Sequence, residues 1–300
     1  MSRTPCTSGS LPPPIVYTIA GSDSGGGAGI QADLHTIHAM KCHGCSAITC
    51  LTAQNSCGVS GIHAPPASFL QIQLETLLED LPPRAVKIGM LGTRELTETV
   101  GDFLKEISSL QPKPLVVLDP VMISTSGHKL IDDEAKEAML DHIFPYTDVL
   151  TPNKYEAEAL LGRALHTPED VEQGARDLLA MGVKSVLIKG GHTLDGVNHE
   201  SHAADVNATL GYAQDYFLSS VSHMGEERLC DGSRGVWLCT ARYDRSMFAT
   251  CHYPTWMQLL RFFHCCLHPT VTIHSTLMAR GALCLRQLHR LLPWATNVVK

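Results

Sequence analysis

Acidic side chains are missing from one end of this chain: residues 245–300 contain neither Asp nor Glu, while the residues before them hold all 30. Ordinary usage would place about seven there. The same stretch carries Cys251, Cys265, Cys266, Cys284 and five histidines, so its composition departs from that of the preceding chain. Long apolar runs are also lacking. A membrane span needs about 18 nearly uninterrupted apolar residues, and runs such as Pro114–Leu118 are far shorter. No membrane partner is expected. Positive charge is not in excess either: the net charge of -7 and pI near 6.1 argue against a nucleic-acid binder, which needs a basic face. Small molecules are the expected ligands. Eleven cysteines make an odd count with no charged-then-apolar leader before them, which points to reduced thiols and a cytoplasmic setting.

What is present is a regular alternation. The 300 residues, 44% hydrophobic, suffice for one large α/β domain or two small ones. Short apolar, β-branched runs at 15–20, 46–51, 85–88, 115–118, 148–150, 184–188 and 235–240 read as buried strands. Between them, residues 28–40, 66–80, 94–109, 132–142, 153–161 and 168–181 read as helices. Thr167-Pro168-Glu169-Asp170 is a helix start, with a capping hydroxyl, a first-turn proline and acids at the positive end of the dipole. Strand followed by helix, six times over, predicts a mostly parallel sheet covered on both faces. Residues 1–14, polar and rich in proline, are expected to be a disordered N-terminal segment, and 193–230 a polar surface insertion.

After the first strand comes Gly21-Ser-Asp-Ser-Gly-Gly-Gly-Ala-Gly-Ile-Gln-Ala-Asp33, at the strand end where such sheets bind ligands. A phosphate-cradling Walker loop requires Gly-Lys-Ser/Thr, and Gly29 is followed by Ile30-Gln31, so that reading fails. Gly27 to Ala32 fits the dinucleotide pattern, but the acid required at the end of the second strand is replaced by Thr52-Ala53-Gln54-Asn55. Those neutral groups suit the edge of a heterocycle. The plainer alternative is a glycine turn needed only for close packing of strand on helix. Asp33, one turn into the helix, is placed to reach back over the loop mouth, its alternative role being that of an acid on the helix dipole.

The ordered motifs GSDSGGGAGIQADL, ITCLTAQN, KIGML, VLDPVM, LTPNKYEAEAL and VLIKGGH resemble the hydroxymethylpyrimidine/phosphomethylpyrimidine kinases of thiamine biosynthesis, within the ribokinase-like superfamily. The likeness covers roughly 15–192 and continues weakly to Asp244. It implies a three-layer α/β/α sandwich over 15–244 and ATP-dependent phosphorylation of 4-amino-5-hydroxymethyl-2-methylpyrimidine and then of its monophosphate. It further implies pyrimidine contacts from Gly21, Ala28, Asp33, Thr52, Gln54, Met90 and Val121, nucleotide contacts from Asn153 and Lys189, and Mg2+ organised by Asp119 and Glu156. A homodimer is among the assemblies the resemblance allows. Pyridoxal kinase, which shares the fold, is an alternative activity.

These roles agree with the residue types. Met90 can pack on a flat ring, or else be plain core. Asp119 ends a strand before Pro120, and Asn153 and Glu156, three apart, share one face of a helix start. A hard cation bound through phosphates and water needs only one or two carboxylates, although Glu156 also fits an ordinary first-turn acid. Lys189-Gly190-Gly191-His192 follows a strand end and suits a phosphate-bearing ligand.

One expected part is lacking. The family closes its site with Gly-Thr-Gly-Cys at a helix start, whose N–H groups meet the transferring phosphoryl; beyond Asp244 the sole glycine is Gly281. No catalytic residue is therefore identified. Residues 245–300 read as the product of an altered reading frame, a retained intron or an alternative splice. Two other readings are a zinc site at Cys251-His252 with His264 to His268, and a basic amphipathic surface around Leu259–Phe263 and Leu283–Leu292. The activity expected from the resemblance is accordingly impaired, and a non-catalytic pyrimidine binder or defective product is the alternative.

Overall fold

The computed structural model describes residues 12–122, 131, 133–190, 212–220 and 235–241. The expectations for 1–11, for Gly191-His192 and for the segment 245–300, its zinc and amphipathic readings included, fall outside the described residues. Nine strands form one sheet: β1 (Ile15–Asp23), β2 (His43–Asn55), β3 (Gly58–His63), β4 (Ala85–Ile88), β5 (Leu115–Leu118), β6 (Val149–Leu150), β7 (Ser185–Ile188), β8 (Tyr212–Ser219) and β9 (Gly235–Ala241). Six helices accompany them: α1 (Gly29–Ala39), α2 (Ala67–Asp80), α3 (Arg94–Ile107), α4 (Asp133–His142), α5 (Lys154–Leu161) and α6 (Pro168–Ala180). All six match the helices read from periodicity, to within two residues at each end.

The strand order is β3-β2-β1-β4-β5-β6-β7-β8-β9. Pairing is parallel from β2 through β7 and antiparallel for β2–β3, β7–β8 and β8–β9. Two corrections to the sequence reading follow. The hairpin strand β3 was not expected, because Gly58-Val-Ser-Gly-Ile-His carries two glycines and is largely exposed, so it has no apolar period to read. Part of the supposed surface insertion at 193–230 is β8, whose Tyr216 and Leu218 are buried.

Alternation along β1 divides the core. Val16 turns to α1 with Ile37, Cys42 and Ala85, while Tyr17 and Ile19 join the large cluster that α2 to α6 bury on the other face. The carboxyl ends of β1, β4, β5, β6 and β7 consequently open at one edge of the sheet. No helix of the described residues is long and apolar enough to cross a membrane.

Candidate active site

The glycine loop is wound around a residue not singled out from the sequence. Asp23, 5% exposed, accepts the N–H of Gly25 at 2.8 Å, of Gly27 at 3.0 Å and of Ala28 at 2.9 Å. Ala28 takes the N-cap position of α1 without a side-chain cap, and the Asp23 carboxylate accepts the N–H of Ala28 itself and so anchors the chain just before the helix. Gln31 closes the other side, its Nε2 donating to Ser22 Oγ at 2.7 Å and its Oε1 accepting the Asp23 N–H at 2.9 Å. Gly29 has φ of 57°, and a Cβ there would stand 2.2 Å from the Gly21 carbonyl oxygen. No larger residue fits. Gly29 thus serves closure of the loop itself, which the packing alternative and the ligand-binding reading both allow.

The loop is stitched to the β2–β3 hairpin. Ser24 Oγ donates to the Gln54 carbonyl at 2.7 Å and accepts the Gln54 N–H at 2.8 Å. Thr52 Oγ1, with one proton to give, lies 2.9 Å from the Ser22 carbonyl and 3.2 Å from Gln54 Oε1, the shorter contact being the one to Ser22. Beside them, Gly21 leaves the space that Cys50 Sγ fills, and Cys50 Sγ lies 3.8 Å from Met90 Sδ. The Met90 carbonyl accepts from Thr49 Oγ1 at 2.6 Å. Gly21, Ala28, Thr52, Gln54 and Met90 therefore gather at the ends of β1, β2 and β4.

Asp33 behaves differently from expectation. Instead of reaching over the loop mouth it lies inside, 1% exposed, where Oδ2 accepts from Thr18 Oγ1 at 2.5 Å and from the Lys87 ammonium at 2.8 Å. Its Oδ1 is enclosed with no hydrogen-bond partner. Burial pushes the Asp33 carboxyl above the ordinary carboxylate range, and Lys87 pulls it part of the way back. Lys87 was also missed, although a lysine within the apolar strand Ala85-Val-Lys-Ile was its signal.

A second cluster stands at the ends of β5 and β7 and the start of α5. The Lys189 ammonium pairs with Asp119 Oδ1 at 2.7 Å, both side chains being largely buried. Thr151 Oγ1 lies 3.4 Å from the same oxygen. Val121, half-buried, follows Asp119 and donates its N–H to the Asp119 carbonyl at 2.8 Å. Asn153 and Glu156 form a reciprocal cap: Asn153 Oδ1 accepts the Glu156 N–H at 2.9 Å, and Glu156 Oε2 accepts the Asn153 N–H at 2.7 Å. Glu156 is thus a first-turn acid and also a member of the charged cluster. Burial pushes its carboxyl up to about 7, opposed by Lys189 and reinforced by Asp119. Burial alone would favour a neutral Lys189, but Asp119, then Glu156, outweigh it and hold the ammonium charged. Two buried carboxyl groups stand against one ammonium, so that when both ionise, as a bound cation would favour, negative charge is in surplus on hard oxygen atoms, a set that fits Mg2+ shared with phosphates. Among the described residues no group of three or more His, Cys, Asp or Glu forms a protein-only metal cage.

The chain matches the phosphomethylpyrimidine kinase family over residues 23–221. It belongs to that family. The hydroxymethylpyrimidine/phosphomethylpyrimidine kinase of Haemophilus influenzae is 48% identical over 180 residues, covering 60% of this chain and 65% of that protein. Its counterpart in Synechococcus elongatus is 46% identical over 178 residues, covering 59% and 66%. The chain therefore matches just under two thirds of the length of these relatives. The crystal structure of phosphomethylpyrimidine kinase from Clostridium difficile is similar with a TM-score of 0.62 at 33% identity, covering 83% of this chain and 97% of that one. Pyridoxal kinase from Staphylococcus aureus in complex with AMP-PCP and pyridoxal is similar with a TM-score of 0.60 at 31% identity, covering 77% and 73%. These neighbours identify the sheet and its helices as the ribokinase-like α/β fold.

Proposed function

We propose that this chain binds 4-amino-5-hydroxymethyl-2-methylpyrimidine and ATP with Mg2+ and transfers the γ-phosphoryl to the hydroxymethyl oxygen, then a second phosphoryl to the monophosphate, at a rate lowered by its missing Gly-Thr-Gly-Cys segment. The observation that carries this reading is the adjacency of two unlike surfaces at one sheet edge. One is neutral and sulfur-lined, at Gly21, Thr52, Gln54 and Met90; the other is the charged group Asp119, Glu156 and Lys189. The first suits a flat heterocycle, with Ala28 and Val121 alongside. The second suits a triphosphate, with Asn153 fixing the α5 start and the Lys189 ammonium meeting phosphate oxygens. Asp119 and Glu156 would hold Mg2+, which when bound neutralises phosphate charge. In the transfer the hydroxymethyl oxygen bonds to the γ-phosphorus as the bond to the β,γ-bridging oxygen breaks, ADP leaving and the hydroxyl proton passing to water. Asp33 supports the pyrimidine side from beneath. Cys42, Cys45, Cys50 and Cys57 are free thiols.

Calorimetry on the purified chain tests the assignment. Gln54→Ala is expected to weaken hydroxymethylpyrimidine binding by roughly 1 to 3 kcal/mol and leave ADP binding unchanged, and Lys189→Met the reverse. Unchanged affinities in both variants reject it. Pyridoxal is a second reading, favoured by the similar Staphylococcus aureus kinase solved with pyridoxal and AMP-PCP. It prevails if pyridoxal binds more tightly than hydroxymethylpyrimidine in the same titration.

A further inference from the structure

Lys189 is held by a strand that the sequence reading treated as an insertion. Its own N–H donates to the Pro152 carbonyl at 2.8 Å, which fixes the end of β7 from the α5 side. On the opposite side β8 runs antiparallel, with Ile188 facing Tyr216, so that one step further the register sets Asp215 opposite Lys189. Asp215 is 5% exposed, and its Oδ1 accepts the Gly190 N–H at 2.8 Å. Contact between turn and strand is so close that a Cβ on Gly190 would stand 1.7 Å from the Gln214 carbonyl oxygen. The Asp215 charge also reaches the Lys189 ammonium, together with those of Asp119 and Glu156.

We propose that Asp215 is a positioning residue of the nucleotide half of the site: by accepting the Gly190 N–H it locks the turn after β7 and so fixes where the Lys189 ammonium stands. The proposal rests on the reading of Lys189 as a phosphate-binding group. Removing the acceptor leaves the half-buried Gly190 N–H without its partner and loosens Lys189-Gly190 at the end of β7, so the loss falls on nucleotide affinity and not on the pyrimidine side.

The test uses the full chain, ADP with Mg2+, and hydroxymethylpyrimidine as an internal control. Asp215→Ala is expected to weaken ADP binding ~tenfold, while Asp215→Asn, which keeps the acceptor oxygen, stays within about threefold of the parent. Pyrimidine affinity stays unchanged in both. In a Lys189→Met background Asp215→Ala is expected to cost less than about twofold, because its effect passes through Lys189. Without ligand, amide hydrogen exchange at Gly190 is expected to be at least ~tenfold faster in Asp215→Ala than in the parent. Asp215→Glu, a methylene too long to keep the bond in place, carries the same expectation should the alanine variant fail to fold. Parental affinity in Asp215→Ala, a loss equally large in Asp215→Asn, or a loss that persists without Lys189 would each overturn the proposal. A parent that binds no ADP would refute the nucleotide reading instead, and exchange at Gly190 would still decide whether Asp215 holds the turn.

Discussion

Lys87 stands in a strand whose other three residues are buried, with only 5% of its own surface exposed. A buried ammonium is tolerable only beside a compensating charge, which Asp33 Oδ2 supplies at 2.8 Å. Removing one partner strands the other in a low-dielectric interior, a loss of about 3 to 5 kcal/mol. Asp33→Ala and Lys87→Met are each expected to destabilise the chain by that amount in urea unfolding, and the double variant Asp33→Ala with Lys87→Met by clearly less than the sum. Strict additivity would show that the pair is not energetically coupled. This also changes how Asp33 is to be tested as a pyrimidine contact, since Asp33→Ala disturbs the floor of the site before it removes any ligand bond.

Glu156 gives a second prediction at the same scale. Its folded value of about 7 lies above the ordinary 4.5, so the folded state binds the proton more tightly than the unfolded chain does. The stability this contributes is fully present below about 4.5 and is lost as pH rises through about 7, a change of about 3 kcal/mol. Urea unfolding of the ligand-free chain is therefore expected to show stability falling between pH 5 and pH 8. Glu156→Gln, which keeps the oxygen that accepts the Asn153 N–H, flattens that fall. Identical pH profiles for the two proteins would remove Glu156 as its source.

Elements were legible wherever burial wrote a period into the sequence. The four-residue strands Ala85–Ile88 and Leu115–Leu118 were read with the boundaries they have, because each is apolar but for Lys87 and follows a proline-bearing turn. The cap at Thr167 announced α6 in the same way, while Asn153, read as the first residue of its helix, proves to be the N-cap of α5. β3 and β8 escaped because edge and near-edge antiparallel strands need only one buried face, and their polar residues resemble loop. In the site, strand-end residues such as Asp119 and Lys189 were found through motif order. Asp23 and Asp215 were not, since their work is to accept backbone N–H groups of neighbouring turns, and sequence spacing carries no trace of such pairs unless the turn is already known. An aspartate two residues before a glycine run, as Asp23 is, was nevertheless a usable signal.

At the scale of the whole molecule the question is what completes the sheet edge. The described strands bring the neutral group of Gly21, Thr52, Gln54 and Met90 and the charged cluster of Asp119, Glu156 and Lys189 to one sheet edge, and the proposed activity needs N–H groups at a helix start, expected from the sequence soon after Asp244. The sequence from 245 onwards has one glycine, Gly281, and no acid, so it has no segment of that kind to offer. Loss of one donor of the oxyanion type commonly lowers kcat about 10² to 10³-fold, and here several donors would be absent together. Binding, under the proposed function, rests mainly on Gln54, Met90, Asp119, Glu156 and Lys189, which the chain retains. ATP-dependent phosphorylation of hydroxymethylpyrimidine by the chain as written is therefore expected to run at least ~10³-fold below that of a chimera carrying a Gly-Thr-Gly-Cys helix after Asp244, with substrate affinities of the two proteins similar. Purified, monodisperse preparations of both are compared, so that misfolding is not counted as lost chemistry. If turnover is equal, residues 245–300 or another segment provide the phosphoryl site, and the impairment proposed for this chain is wrong. If the chimera gains turnover only through tighter ATP binding, the missing segment acts on the ground state, and the case for transition-state stabilisation by its N–H groups fails.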